Sequence, residues 1–163
     1  MKRVLERSQL VPRPRSEVFA FFSEAANLER LTPPNLHFQI KTPLPIAMRE
    51  GALIEYRISL FGVPFGWQTL IEAYEPETRF VDRQLRGPYA LWHHTHTFED
   101  APGGTLMRDR VLYEVPFGPL GELARVLFVD RQLKAIFDYR FQAVAEIFDR
   151  ARPPAVTGER APA

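Results

Sequence analysis

Residues 119–150 read "PLGELARVLFVDRQLKAIFDYRFQAVAEIFDR", with no proline or glycine after Gly121. Leu123, Val126, Leu127, Val129, Leu133, Ile136, Phe137, Phe141, Val144, Ile147 and Phe148 recur at helical spacing and mark one broad apolar stripe. At 1.5 Å per residue such a helix is about 45 Å long, enough to cross a whole sheet. The rest of the sequence must supply that sheet.

Working back from the helix, the texture is extended. Arg3 to Val11 alternates imperfectly and stops at "PRPRS", where proline ends strand pairing. Ser16 reads as a helix N-cap with Glu17 in the first turn and Val18, Phe19, Phe21 and Phe22 as the apolar face. A second short helix is expected from Asn27 to Leu31, ending at "TPP". Six extended segments follow: "LHFQIKT" (36–42), "ALIEYRISLFG" (52–62), "FGWQTLIEAYE" (65–75), "RFVDRQLRG" (79–87), "ALWHHTHTFED" (90–100) and "TLMRDRVLYEV" (105–115). Short connections join them, of which "DAPGG" is the clearest hairpin loop, so the strands should form an antiparallel meander. One domain over residues 1–150 accounts for all of this, and the tail 151–163, "RPPAVTGERAPA" in all but its first residue, has no periodic apolar set and is expected to be disordered.

Composition narrows the function classes. A chain of 163 residues can bury a sizeable core without staples. It has no cysteine, which removes disulfides, thiolate nucleophiles and cysteine-ligated metals and suits a reducing, cytoplasmic setting. A net charge of +1 with scattered arginines does not resemble a nucleic-acid binder. No window approaches the roughly 20 apolar residues of a membrane span, and the start lacks a signal-peptide core. No sequence feature calls for a cofactor, and the oligomeric state is open.

The order of elements, together with "FVDRQLRGPYALWHHTHTFED" (80–100) and "GGTLMRDRVLYEVPFGPLG" (103–121), resembles the START-like, birch-pollen-allergen-like superfamily, also called SRPBCC or polyketide cyclase/dehydrase-like. Within it the likeness is to a bacterial ligand-binding subgroup, some of whose members are fused to sugar-nucleotide epimerase-like domains. The resemblance implies an α+β helix-grip fold: a curved seven-stranded antiparallel sheet wrapped on a long C-terminal helix, with two short helices after strand 1. It also implies a cavity between sheet and helix that takes an apolar small molecule such as a lipid or polyketide.

Three of the four histidines lie in "ALWHHTHTFED". Strand parity separates Trp92, His94, His96 and Phe98 from His93, Thr95 and Thr97, and the large aromatics bracket the first set. That set should face the helix. Counting by two from Phe80 adds Asp82 and Gln84 to the inner phase, and counting back from Tyr113 through Val111 adds Asp109. The strands carrying Asp82 and Asp109 flank the histidine strand in a meander. Buried polar groups left unpaired cost about 1–3 kcal/mol each, so these side chains should bond one another, water or a ligand.

The expected ligand-binding set is therefore Tyr56, Trp67, Asp82, Gln84, Arg86, Trp92, His94, His96, Asp109 and Tyr113. The aromatics supply contact area with a polar tip, and Arg86 at the rim could hold a carboxylate. Three chemistries fit the histidines. They could orient the polar end of a hydrophobic ligand, which is the preferred reading. They could transfer protons in a cyclase- or dehydratase-type enzyme, with His94 or His96 as the carrier and Asp109 as its orienter. They could share a metal with Asp82 or Asp109, although no third ligand is fixed by a motif. From another class altogether, the domain could be a protein-interaction module with a filled core. Arg79, Arg83, Arg108 and Arg110 fall on the outer phase and read as a solvated surface.

Overall fold

The computed structural model describes residues 1–150; the expected disordered tail lies outside them. Seven strands form one antiparallel sheet: β1 (Arg3–Val11), β2 (Gln39–Ile40), β3 (Leu53–Leu60), β4 (Val63–Glu75), β5 (Arg79–Arg86), β6 (Leu91–Ala101) and β7 (Gly104–Glu114). Their order is β1-β7-β6-β5-β4-β3-β2. From β2 to β7 each strand is followed by its spatial neighbour, and β1 closes the far edge against β7 in an unbroken nine-residue register from Arg3↔Tyr113 to Val11↔Thr105. The meander read from the sequence is present.

Helix α1 (Arg15–Phe22) follows β1. Its N-cap is Pro14, whose fixed backbone angle suits the entry, so Ser16 makes no side-chain cap and lies inside the first turn. The second short helix expected at 27–31 is replaced by two 3₁₀ turns, Ala25–Leu28 and Pro34–Leu36, because Pro33 and Pro34 allow no longer run. "LHFQIKT" yields only the two-residue edge strand β2, since His37 takes a left-handed conformation (φ 46°) and keeps the residues before Gln39 out of the ladder.

The C-terminal helix is α2 (Gly118–Ala124) and α3 (Asp130–Arg150), joined by a π-helical segment, Arg125–Val129. Leu133 and Phe137 pack with Val111 and Tyr113 toward one end of the sheet. Val144 and Phe148 pack with Val11, Phe19, Phe22, Phe80, Phe98 and Met107 toward the other. The stripe seen in the sequence divides at the π segment: Leu123, Val126 and Leu127 are exposed, as is Phe141 farther along. A π turn holds an extra residue, which rotates the face that the following residues present to the sheet. Between the two packed ends, sheet and helix enclose a cavity.

Candidate functional site

The pleat of β6 sends His94 and His96 into the interior, at 5% and 3% exposure, between Trp92 and Phe98. His93 goes to the other face and meets Glu72 at 2.8 Å. Register then selects the partners: Asp82 on β5 is directly opposite His94, and Asp109 on β7 is directly opposite His96. Each aspartate reaches both rings. His94 donates from Nε2 to Asp109 Oδ1 at 2.9 Å and keeps Nδ1 3.6 Å from Asp82 Oδ2, beyond hydrogen-bond reach. His96 Nε2 donates to Asp82 Oδ2 at 2.8 Å, and its Nδ1 lies 2.8 Å from Asp109 Oδ1.

The fifth member comes from the helix. Arg140 on α3 places Nε 3.5 Å from Asp109 Oδ2 and Nη2 3.3 Å from His96 Nδ1, with its guanidinium over the Phe22 ring. Two carboxylates and one guanidinium leave a charge of −1, and a single imidazolium brings the cluster to zero. Burial disfavours the charged form of both rings. For His94 burial and the neighbouring His96 prevail and its pKa is lowered; for His96 the hydrogen bonds to Asp109 and Asp82 overcome burial and its pKa is raised. His96 therefore carries the shared proton, and its contact with Arg140 is one between two donors whose charges Asp109 balances. Burial acts against both carboxylates too, but Arg140 and the histidines hold Asp109 well below the usual carboxylate range, and the two histidines hold Asp82 low.

These directions fix a pH dependence. A lowered His94 pKa makes the unfolded chain bind more protons just below about pH 6.5, so stability falls toward acid; a raised His96 pKa makes the folded chain bind more just above it, so stability falls toward alkali. Stability measured by urea unfolding should therefore peak near pH 6.5, and His96→Gln should abolish the alkaline fall. Asp82 and Asp109 add a further loss as pH drops through the carboxylate range. A profile flat between pH 5.5 and 8 would contradict the charge assignment.

The cluster forms one wall of the cavity, which has a volume of about 150 Å³. His94, His96, Asp82 and Arg140 line it together with Tyr56, Trp67, Thr69, Tyr89, Trp92, Phe137 and aliphatic residues from Leu36 to Ile136. Asp109 stands behind the two rings, positioning them without reaching the cavity. Trp67 packs against Tyr56, Tyr89 and Trp92, and its buried Nε1 has no hydrogen-bond partner.

Besides Asp109, three of the expected ligand contacts stand outside the cavity. Gln84 exchanges two hydrogen bonds with the backbone of Tyr89 at 2.7 and 3.3 Å, which ties the β5–β6 turn. Arg86 is exposed at the end of β5. Tyr113 is buried on the inner face but donates to Asp130 at 2.8 Å, outside the cavity. Arg79, Arg83, Arg108 and Arg110 pair with Glu75, Glu72, Glu99 and Glu6 on the outer face. Conversely, Arg140 and Tyr89 line the cavity but are absent from the expected set. A periodic signal could have placed Arg140 one turn beyond Phe137 on the inner helix face.

Asp82, His94 and His96 offer ligand atoms within 4.8 Å of one another, as a metal requires. An ion there would have to break the 2.8 Å His96–Asp82 hydrogen bond and face the guanidinium of Arg140. The donor set suits a shared proton better than a cation. Among the described residues no helix is long and apolar enough to cross a membrane.

No protein-family model and no curated protein matches the chain. Solved structures do. The Zhui aromatase/cyclase from Streptomyces sp. R1128 superposes with a TM-score of 0.74 at 13% identity, covering 96% of this chain and 99% of that one. Ara h 8.0201 gives a TM-score of 0.65 at 16% identity, over 92% of this chain and 99% of its own. A nucleoside-diphosphate sugar epimerase from Corynebacterium glutamicum gives 0.61 at 25% identity over 87% of this chain, which corresponds to 28% of that longer chain. A seven-stranded antiparallel sheet with a long C-terminal helix is thus shared with proteins of little common sequence, and the chain carries the helix-grip fold.

Proposed function

We propose that the protein binds a small aromatic or apolar molecule with one polar end in the cavity between sheet and helix. The observation that carries this reading is the indole N–H of Trp67, buried without a partner in the wall of a mostly apolar cavity. An unpaired buried donor costs about 1–3 kcal/mol, and a guest with an acceptor at that point recovers it. The volume of about 150 Å³ suits a single ring, since an apolar cavity of that size takes a benzene-sized guest. A larger polyketide- or lipid-like molecule would bury one ring there and extend outside. The existence of the cavity also favours a small-molecule binder over an interaction module with a filled core.

A second reading, an enzyme of cyclase or dehydratase type, is favoured by one feature of the cluster. Asp109 fixes the N–H of His94 on Nε2, which leaves Nδ1 as an unprotonated base without a hydrogen bond in the cavity wall.

Both tryptophans of the chain line the cavity, so their emission reports its occupancy. Titration with p-cresol, one ring bearing one hydroxyl, should change tryptophan emission saturably, and native mass spectrometry of protein from its own host should show a bound small molecule. An unsaturable response together with a bare protein mass counts against binding. For the enzyme reading, His94→Gln should abolish turnover of the recovered molecule while changing its affinity less than about threefold; lost affinity with no turnover in the parent protein would leave only a binder.

A further inference from the structure

The segment 115–129, "VPFGPLGELARVLFV", is built inside out. Its two charged residues, Glu122 and Arg125, turn inward: Arg125 is buried and bonded to Glu122 and Asp130, while Glu122 is also held by Arg3 and the amino terminus. Between Val115, which is buried, and Val129, which packs on the core, its large apolar residues turn outward, with Phe117 at 82% and Leu120 at 77% exposure, and Leu123, Val126, Leu127 and Phe128 all more than half exposed. The tip of the β3–β4 hairpin joins them, since exposed Phe61 meets Phe128 edge to face with ring centroids 6.2 Å apart. Exposed apolar residues clustered along one helix end, unlike single scattered ones, mark an interaction surface.

Backbone strain marks the same two phenylalanines. Phe61 (φ 53°) and Gly62 (φ 77°) are the two loop residues between the paired Leu60 and Val63, and both are left-handed. Such a loop favours Asn-Gly. Phe117 (φ 72°) is left-handed as well. A bulky residue in that region is strained, so neither phenylalanine is there for the turn it occupies. Both rings are exposed to solvent.

The shape and charge of the patch favour one occupant. It joins a helix end to a hairpin tip through the Phe61–Phe128 contact. The carboxylates next to it, Glu114, Glu122 and Asp130, are each taken up by cations within the fold. Arg131 and Lys134 follow the segment on the same helix, and both are exposed; Asp138, the partner of Lys134, is shared with Arg7. With Glu114, Glu122 and Asp130 already paired within each fold, a symmetric dimer through this patch would gather both copies' cations at one interface. An anionic surface meets them with opposite charge.

We propose that this patch docks the protein on the surface of an anionic phospholipid bilayer, with Phe117, Leu120 and Phe61 inserted at the headgroup boundary and Arg131 and Lys134 against lipid phosphates. Leu60, next to Phe61 in the chain, and Leu133, two residues after Arg131, line the cavity, so docking sets one end of the cavity near the acyl phase. The inference does not depend on what fills the cavity.

The test is co-sedimentation of the full chain with vesicles of phosphatidylcholine alone or mixed equally with phosphatidylglycerol. The expected result is at least tenfold stronger partitioning onto the mixed vesicles and a further tenfold loss in the triple variant Phe61→Asn, Phe117→Asn, Leu120→Gln. Asparagine suits both left-handed positions, so the urea midpoint of that variant should be unchanged or higher, which separates docking from folding. The proposal is overturned if the parent protein ignores both vesicle types, or if the triple variant binds as well as the parent. It is equally overturned if sedimentation velocity without lipid shows a dimer that the triple variant dissolves, because a second copy then covers the patch.

Discussion

Replacing Asp109 with alanine should cost about 3–5 kcal/mol of folding stability, the penalty for breaking a buried ion pair from one side. Asp109 is 3% exposed and serves three groups: His94 Nε2, His96 Nδ1 and the Arg140 guanidinium. Without it the remaining charges, Asp82, Arg140 and protonated His96, sum to +1 in a site water hardly reaches, and His96 must give up its proton. Domains of this kind are stable by only about 5–15 kcal/mol, so a large part of the total is removed. Asp109→Asn keeps the shape and one acceptor but not the charge, and should fall between parent and alanine variant. Urea unfolding at pH 6.5 measures both. A loss below about 1 kcal/mol for the alanine variant would mean that the five side chains do not act as a unit.

The second large effect is on binding. Ile136 lies on the helix side of the cavity among Leu36, Trp67, Trp92 and Leu133. Ile136→Trp adds an indole to a space of about 150 Å³, leaving no room for a ring-sized guest. Affinity for any single-ring ligand should fall on the order of 100-fold, or about 2.7 kcal/mol. Stability should change by less than about 1.5 kcal/mol, because the added ring occupies existing space rather than displacing packed atoms. Calorimetric titration and thermal unfolding of the one variant separate the two. Undiminished affinity would place the ligand elsewhere.

Much of this site was legible in the sequence for a simple reason. Strand parity and meander order are local rules, and together they put His94 and His96 inward with Asp82 and Asp109 on the flanking strands, which is where register holds them. Gln84 kept its phase, but its amide found the backbone of Tyr89 first, a turn contact that no alternation encodes. Arg140 comes from 44 residues beyond His96, and helical spacing says nothing of what a helix lies against. The helix stripe was overread at Leu123, Val126 and Leu127 because counting apolar residues assumes one unbroken turn, and the π segment at Arg125–Val129 changes the facing. The cavity itself, an absence of atoms, has no sequence signature.

The central claim is that a guest enters between sheet and helix and is met there by Trp67. An ¹⁵N-resolved NMR titration with p-cresol reads it at one atom, because the chain has two indole N–H signals and Trp67 Nε1 is the one buried without a partner. The predicted result is a saturable downfield shift of the Trp67 indole proton as it gains an acceptor, with accompanying shifts in the His94 and His96 rings and none in Ile136→Trp. An indole signal that stays in place up to the solubility limit of the cresol, or that moves equally in the plugged variant, would contradict it.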